Sequence, residues 1–253
     1  MNRIIIILLL FPLKNWSQEN NVMDSICILG RTEIGFYEYY PEVSENIIFL
    51  NVHQDETTSI ESLHHYTKVD SFSFFYLLHS ETRRITFELK GKNYDFDPNR
   101  IFTRRGIRKT LKDGERKSRK AIREVEKLSN AILSRLPANH TVIAVHNNTD
   151  INYSIKSYLP GGGEFKNTKL VYVNDEMDPD DFIYTTDFDF YEAFKSKGIN
   201  VILQDNNKFV NDGSLSVYCG LNDIPYINIE TQKGHFDEQI MLIKMVLEVL
   251  RGK

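Results

Sequence analysis

Four short apolar runs constrain the fold of this chain more than any other feature. Each run is long enough for a strand that is buried on both faces, and each is too short for a buried helix. The runs cover residues 46–52, 71–78, 141–145 and 225–229. Because helical patterns lie between them, the sequence predicts an α/β fold, a mixed and mostly parallel twisted sheet with helices on both faces.

The segments between the runs carry helical periodicity and turn signals. Apolar residues recur every three or four positions over 118–136, which predicts an amphipathic helix packed on the sheet. A shorter helix is expected over 188–197, and a strongly apolar terminal helix over 236–251. Residues 84–97 read as a β-hairpin with its turn at 91–93.

The length and the N-terminus indicate one exported domain. A chain of 253 residues that is 41% hydrophobic can bury one substantial core. Its first residues include Arg3, a short apolar run over 4–13 and the small residue Ser17, a pattern typical of a secretory signal peptide. The run is too short to cross the roughly 30 Å hydrocarbon core of a bilayer. We therefore expect a signal peptide at 1–17, a single domain at 18–253, and a secreted or periplasmic location.

Charge and cysteine content restrict the partners. The formal net charge of −4 gives no reason to expect nucleic acid or an anionic membrane as a partner, and no stable membrane insertion is expected. The two cysteines, Cys27 and Cys219, lie far apart in the chain. The sequence favours two small buried thiols and leaves their pairing open.

Chemically versatile side chains follow the predicted strands where those strands end. His53 and Glu56 come after the first run, His146 closes the third, and Glu230 closes the fourth. In open α/β sheets ligands gather at the carboxyl ends of the strands. Two histidines and a glutamate are a common catalytic zinc set that leaves one position open for water, and a second carboxylate can accept the proton of that water. The sequence predicts a zinc site at His53, Glu56 and His146, with Glu230 beside it.

The order of these motifs resembles the zinc carboxypeptidase superfamily. That superfamily includes carboxypeptidase A-like peptidases and the succinylglutamate desuccinylase/aspartoacylase branch. Residues 97–102 (D-P-N-R-I-F) are similar to the D-L-N-R-x-F element of the second branch, with Pro98 in place of leucine. Gly213-Ser214 followed by Tyr218 resembles the approach to the catalytic glutamate in the first branch.

The resemblance implies a metal-assisted hydrolysis. His53, Glu56 and His146 match the zinc ligands of the superfamily, and Glu230 matches its general base and acid. The reaction implied is cleavage of an amide bond next to a free carboxylate. The cofactor implied is Zn²⁺.

The resemblance also implies residues that hold the substrate. Asn99 and Arg100 match the pair that grips the terminal carboxylate, a role that suits the fixed donor fork of arginine. The residue that stabilises the oxyanion is Arg84 or Lys92, and Arg84 is preferred because Lys92 falls in the predicted hairpin turn. Tyr218 is the candidate for the tyrosine that carboxypeptidases close over the substrate.

Three functions fit these expectations. The first is a secreted metallocarboxypeptidase that acts on peptides or cell-wall stem peptides. The second is an N-acyl amino acid deacylase of the desuccinylase/aspartoacylase type. The third is a zinc-retaining peptide-binding protein without catalysis. In each case the partner is a peptide or N-acyl amino acid with a free carboxylate.

Overall fold

The computed structural model describes residues 22–41, 47–111, 118–136, 141–149 and 153–252. The predicted signal peptide lies outside these residues. None of the helices described is long and apolar enough to cross a membrane.

Eleven strands are present in the described part of the chain. They are β1 (Val22–Leu29), β2 (Thr32–Tyr39), β3 (Ile48–Asn51), β4 (Ser73–Leu78), β5 (Ile85–Leu89), β6 (Lys92–Phe96), β7 (Val142–Asn148), β8 (Thr168–Tyr172), β9 (Phe182–Thr185), β10 (Val201–Gln204) and β11 (Tyr226–Gln232). Nine of them form one sheet in the order β1-β2-β4-β3-β7-β11-β9-β10-β8, and β5 pairs with β6 in a separate hairpin.

The sheet is mixed, as predicted, with its parallel pairs concentrated at the centre. The pairs β4–β3, β3–β7 and β7–β11 are parallel, as is β9–β10. The pairs β1–β2, β2–β4, β11–β9 and β10–β8 are antiparallel. Parallel neighbours place their carboxyl ends at the same edge, so β3, β7 and β11 bring the residues that follow or end them together.

Helices cover both faces of the sheet, which confirms the predicted layering. They are α1 (Thr57–Tyr66), α2 (Arg104–Thr110), α3 (Arg119–Leu133), α4 (Phe188–Ser196), α5 (Leu215–Leu221) and α6 (Phe236–Arg251). One apolar core contains residues of α1, α4 and α6, and the other contains residues of α2, α3, α5 and the β5–β6 hairpin. The two cores are separated by the sheet itself.

The helix α3 forms because its sequence provides a capping residue at its N-terminus and an apolar face that packs on the sheet. The Ser118 side chain accepts a hydrogen bond from the backbone of Ala121 and so caps the first turn. Ile122, Val125 and Leu128 lie on one face and are buried. Burial of each such side chain contributes about 1.5–3 kcal/mol, so tertiary packing holds this helix on the sheet.

The β5–β6 hairpin is present, but its turn was predicted one residue too late. The turn is Lys90-Gly91, with φ of 56° and 73°, and Leu89 pairs with Lys92. Two central residues with positive φ form the tight turn that matches the twist of a hairpin. Lys92 therefore begins β6 and lies exposed at the tip of the hairpin.

The two cysteines are free thiols in the structure. Cys219 is fully buried on α5, and Cys27 is half-buried on β1. Burial raises the pKa of the Cys219 thiol well above its ordinary value. These features agree with a packing role for Cys219.

Candidate metal centre and active-site cleft

A buried asparagine at the end of β3 sets the turn that carries the first predicted ligands. The Asn51 Oδ1 atom accepts a hydrogen bond of 2.9 Å from the backbone N–H of His53. Its Nδ2 atom donates to Glu56 Oε2 at 3.0 Å and to the carbonyl of Val145 on β7 at 2.8 Å. Asn51 thus ties the turn to the neighbouring strand. No role was predicted for Asn51 from the sequence, although it stands two residues before His53.

The three predicted ligands converge on one point. His53 Nδ1 lies 2.9 Å from Glu56 Oε1, and His146 Nδ1 lies 2.8 Å from Glu56 Oε2. The two imidazole rings are 5.3 Å apart between centroids. One ligand atom from each residue lies within 4.8 Å of the other two, and all three residues are buried. Two imidazole nitrogens and a carboxylate oxygen at this spacing fit a single divalent cation.

Asp97 fixes the orientation of the His53 ring by contacting the ring nitrogen that does not face Glu56. Its Oδ1 atom lies 2.9 Å from His53 Nε2 and also accepts the backbone N–H of Asn99 at 2.9 Å. A carboxylate on the second nitrogen holds the ring so that Nδ1 faces Glu56. No role was assigned to Asp97 from sequence, although it is the first residue of the D-P-N-R element.

The charges of the centre stabilise each other. Burial alone would raise the pKa of Glu56, but the imidazoles of His146 and His53 hold it well below its ordinary value. Burial would lower the pKa of His53, whereas Glu56 and then Asp97 raise it to about 9. The pocket therefore favours an ionised carboxylate and positive charge beside it.

An open cleft of about 450 Å³ begins at this centre. Five of the predicted site residues line it: Glu56, Asn99, Arg100, His146 and Glu230. His53 is fully buried behind them. A cleft of this size is in the range of small-ligand sites.

Glu230 stands beside the metal centre because β11 runs parallel to β7. The register of these strands places Glu230 opposite His146. The Asn228 Nδ2 atom donates a hydrogen bond of 2.9 Å to Glu230 Oε1, so Oε2 is the remaining carboxylate oxygen. Burial raises the pKa of Glu230, His146 opposes this, and the nearby Glu56 carboxylate adds to it. A raised pKa is a property of carboxylates that exchange protons in catalysis.

The pair predicted to bind carboxylate lies farther along the cleft. The Asn99 Oδ1 atom accepts the backbone N–H of Leu215 at 3.2 Å, so the Nδ2 group is the remaining donor of that side chain. Arg100 Nη1 donates to the Asn99 carbonyl at 2.7 Å, and Arg100 Nε lies 3.2 Å from Asp212 Oδ2. Arg100 therefore enters the cleft already paired with an acid.

The structure puts Arg83, rather than Arg84 or Lys92, at the metal centre. Arg83 lines the cleft, and its Nη1 atom lies 3.0 Å from Glu56 Oε1. Arg84 forms an ion pair with Asp95 on β6 and does not line the cleft. Lys92 lies at the tip of the hairpin. Sequence periodicity could not tell which of the adjacent arginines faces the cleft. The segment between β4 and β5 has no regular structure, so its residues do not alternate between defined faces.

Tyr218 does not line the cleft either. It lies on α5 and packs against one of the apolar cores. Tyr153, Tyr158, Tyr184 and Tyr226 line the cleft instead, and we call them the tyrosine wall. The hydroxyls of Tyr153 and Tyr158 are 2.5 Å apart.

A second group of ligand-type side chains lies at the start of α6. The Asp181 carboxylate accepts the backbone N–H of Gln232 and contacts His235 Nδ1 at 3.0 Å, and Glu238 lies close by. This arrangement links β9 and β11 to the first turn of α6. His235 and Glu238 repeat the spacing of His53 and Glu56, which shows that the spacing alone is a weak signal.

Comparison with solved structures finds chains of similar outline but distant sequence. A candidate metallopeptidase from Shewanella denitrificans OS217 is 13% identical over 90% of this chain and 82% of that one, with a TM-score of 0.45. Murein-tripeptide amidase MpaA from Escherichia coli O157 is 13% identical over 89% and 91%, with a TM-score of 0.44. An aspartoacylase family protein from Mesorhizobium loti is 9% identical over 91% and 67%, with a TM-score of 0.44.

No family model matches the chain, and no curated protein matches it. Likenesses at these identities and TM-scores concern the outline of the chain and assign it no activity.

Proposed function

We propose that this protein is a zinc-dependent hydrolase that cleaves an amide bond next to a free carboxylate, acting as a metallocarboxypeptidase on peptides or cell-wall stem peptides. One observation carries the proposal. The Nδ1 atoms of His53 and His146 meet the two oxygens of the buried Glu56 at 2.8–2.9 Å, in a cleft that also holds Glu230 and Arg100.

His53, Glu56 and His146 are the residues that would hold the cation. Their donor set is typical of zinc in catalytic sites, and a carboxylate on the second ring nitrogen, as Asp97 provides for His53, is typical of a metal-binding histidine. A divalent cation bound there supplies Lewis acidity, which polarises a carbonyl oxygen and lowers the pKa of water.

Glu230 is placed to move the proton. Its Oε1 atom is held by Asn228, which leaves Oε2 to take a proton from the attacking water and deliver it to the leaving nitrogen. Its raised pKa brings it closer to neutral pH than an ordinary glutamate, which suits both halves of this transfer. Arg83 lines the same cleft and pairs with Glu56 at 3.0 Å, and its guanidinium would be the donor to an oxyanion there.

Asn99 and Arg100 would orient the substrate. A carboxylate of the substrate is expected to accept hydrogen bonds from the Asn99 Nδ2 group and from the donors of Arg100 that Asp212 and the Asn99 carbonyl leave. This contact fixes the scissile amide relative to Glu230.

The test is a Glu230→Gln variant. It should bind metal like the wild type, because Glu230 is not a ligand, and its kcat should fall about 100-fold to 10,000-fold, the usual range for a general base. Elemental analysis measures the bound metal, and hydrolysis of peptides with a free C-terminal carboxylate measures kcat. His146→Ala is the matched variant that should lose metal and activity together. Near-normal turnover in Glu230→Gln would refute the mechanism.

The D-P-N-R-I-F element favours one second candidate, an N-acyl amino acid deacylase. The two functions share the metal centre and differ in the acyl part of the substrate. A panel that pairs blocked dipeptides with N-acetyl and N-succinyl amino acids separates them by kcat/KM. Binding of such compounds without cleavage under any condition would instead support a non-catalytic binding protein.

We also propose that the protein is exported. The proposal is supported by the basic start, apolar run and small residue of positions 1–17. Expression of the full chain followed by N-terminal sequencing of the exported fraction should find a start close to residue 18. An intact N-terminus in a cytosolic fraction would contradict it.

A further inference from the structure

Buried polar side chains lie on the face of the sheet opposite the cleft, directly behind the metal centre. Successive residues of a strand point to opposite faces, so the residues after His146 on β7 and after Glu230 on β11 point away from the cleft. These residues are Asn147 and Thr231, and the register of the two strands places them opposite each other. Both are buried among groups of α1 and α6.

Asn147 bonds to three elements at once. Its Oδ1 atom accepts the backbone N–H of Ser59 in the first turn of α1 at 2.9 Å. Its Nδ2 atom donates to Thr231 Oγ1 on β11 and to Gln239 Oε1 on α6, both at 3.2 Å. A backbone N–H can only donate, so the oxygen of the Asn147 amide must face Ser59 and its amino group must face β11 and α6.

The bond to Ser59 frees the Glu56 carboxylate for the metal centre. Glu56 is the N-cap residue of α1, yet its side chain caps no N–H group of the helix. Its two carboxylate oxygens face His53 and His146 instead. An N-cap side chain ordinarily accepts the N–H that Ser59 offers. Because Asn147 accepts it from the neighbouring strand, no buried N–H is left unpaired when Glu56 turns to the imidazoles.

Ser59 connects this contact back to Glu56. Its Oγ atom donates to the Glu56 carbonyl at 2.8 Å and accepts a hydrogen bond of 2.9 Å from Asn51 Nδ2. Asn51 also donates to the Glu56 carboxylate. A shift of α1 relative to β7 would therefore move Glu56 relative to His146.

Thr231 extends the same network to the strand that carries Glu230. Its hydroxyl accepts from Asn147 and donates to Gln239 on α6. These contacts hold the backbone of β11 at the residue that follows Glu230. The hydrogen bonds of Asn99 and Arg100 in the described part of the chain go to other groups.

We propose that Asn147 is a positioning residue that sets the place of Glu56 and of Glu230 relative to the metal. Its oxygen holds α1 against β7, and its amino group holds β11 beside them. Asn147 borders the cleft, but both polar ends of its amide bond inside the protein, so it acts through Glu56 and Glu230 and not on the substrate. The effect on turnover rests on the proposed function, whereas the effect on metal affinity does not.

The experiment measures zinc affinity by competition with a chelating dye, and kcat and KM with a peptide that ends in a free carboxylate. Asn147→Ala should bind zinc about tenfold more weakly, the lower end of the range for residues that orient metal ligands. Its kcat should fall about tenfold, and its KM should stay within about twofold, because Asn99 and Arg100 lie outside the network.

Thr231→Val separates the two arms of the network. It keeps the shape of the side chain and removes only the hydroxyl, so the contact of Asn147 with Ser59 remains. Zinc affinity should stay within about twofold of the wild type, and kcat should fall about fivefold. Thr231→Ser restores the hydroxyl and should restore kcat.

Asn200→Ala is the matched control for the loss of a buried asparagine. The Asn200 side chain is fully buried, accepts the backbone N–H of Asn174 and donates to the carbonyls of Asp178 and Asp181. It does not line the cleft. This variant should lower the thermal unfolding midpoint and leave zinc affinity and kcat unchanged.

Zinc affinity within about twofold of the wild type in Asn147→Ala would overturn the inference. An equal loss of affinity in Asn200→Ala would also overturn it, because lower stability alone would then explain the effect. If Asn147→Ala does not fold, Asn147→Leu, which keeps the volume of the side chain, takes its place. If the wild type cleaves no peptide, the proposed function fails, and the zinc affinities of the Asn147 and Asn200 variants decide the inference by themselves.

Discussion

The Asp97→Asn substitution isolates the contribution of the residue behind the metal centre. Asp97 Oδ1 receives both the His53 Nε2 contact and the backbone N–H of Asn99. An asparagine side chain has the same shape and can keep its oxygen in that position. The substitution therefore removes the negative charge and leaves the geometry of the turn in place.

The structure indicates a large effect for one hydrogen bond. The His53 side chain is 0% exposed, so no water can replace the lost charge–imidazole contact. A hydrogen bond to a charged group is worth about 1.5–3 kcal/mol, and loss of the carboxylate that holds a metal-binding histidine weakens metal binding about 10-fold to 100-fold. Because the ring is fully buried, we expect the variant to lie near the upper end of that range.

Competition with a chelating dye measures the metal affinity of the variant. Asp95→Asn is the matched control, because Asp95 pairs with Arg84 outside the cleft and should leave the affinity unchanged. Asp97→Asn should also retain the circular dichroism spectrum of the wild type. An affinity within about threefold of the wild type would refute the reasoning that Asp97 orients and polarises His53.

Two further substitutions test the site and the fold. Arg83→Met should lower kcat about 100-fold through loss of an oxyanion donor, and Arg84→Met should leave it close to the wild type; steady-state kinetics would reject the assignment if the order were reversed. Arg135→Met should destabilise the fold by about 3–5 kcal/mol in urea unfolding, because it removes the cation that pairs with the buried carboxylate of Glu38 at 2.9 Å. Burial alone would raise the pKa of Glu38, but hydrogen bonds from Ser25 and Arg135 hold it below its ordinary value. The stability that this pair contributes is therefore present above the unfolded pKa and lost as the pH falls through the folded one, and a wild-type unfolding curve without such a loss in acid would contradict it.

The elements predicted from sequence were those with a long or unambiguous pattern. The four central strands and the helices α3, α4 and α6 are all present close to the predicted positions. The strands β9 and β10 were not predicted, because runs of four residues are too short for periodicity to identify. The β1–β2 hairpin was not predicted either, although burial alternates along β2 in the pattern of a half-buried strand.

The residues of the candidate site also divide into those that the sequence predicted and those that it did not. His53, Glu56, His146 and Glu230 were predicted because each follows or lies near the end of a recognisable strand, and parallel neighbours bring such ends to one edge. Arg83 was not predicted, since it lies in a segment whose course depends on contacts with the rest of the chain. Local sequence carries little information about such segments.

The burial of Glu56 gives the physical reason to expect a cation at this centre. A carboxylate with 4% of its side chain exposed loses several kcal/mol of hydration, and the hydrogen bond from Asn51 restores only part of that. In the metal-free protein the Arg83 guanidinium and a proton on the imidazoles compensate this charge, and Glu56 raises the pKa of His53 to about 9 although burial lowers it. A divalent cation offers the same compensation with more charge and releases that proton on binding.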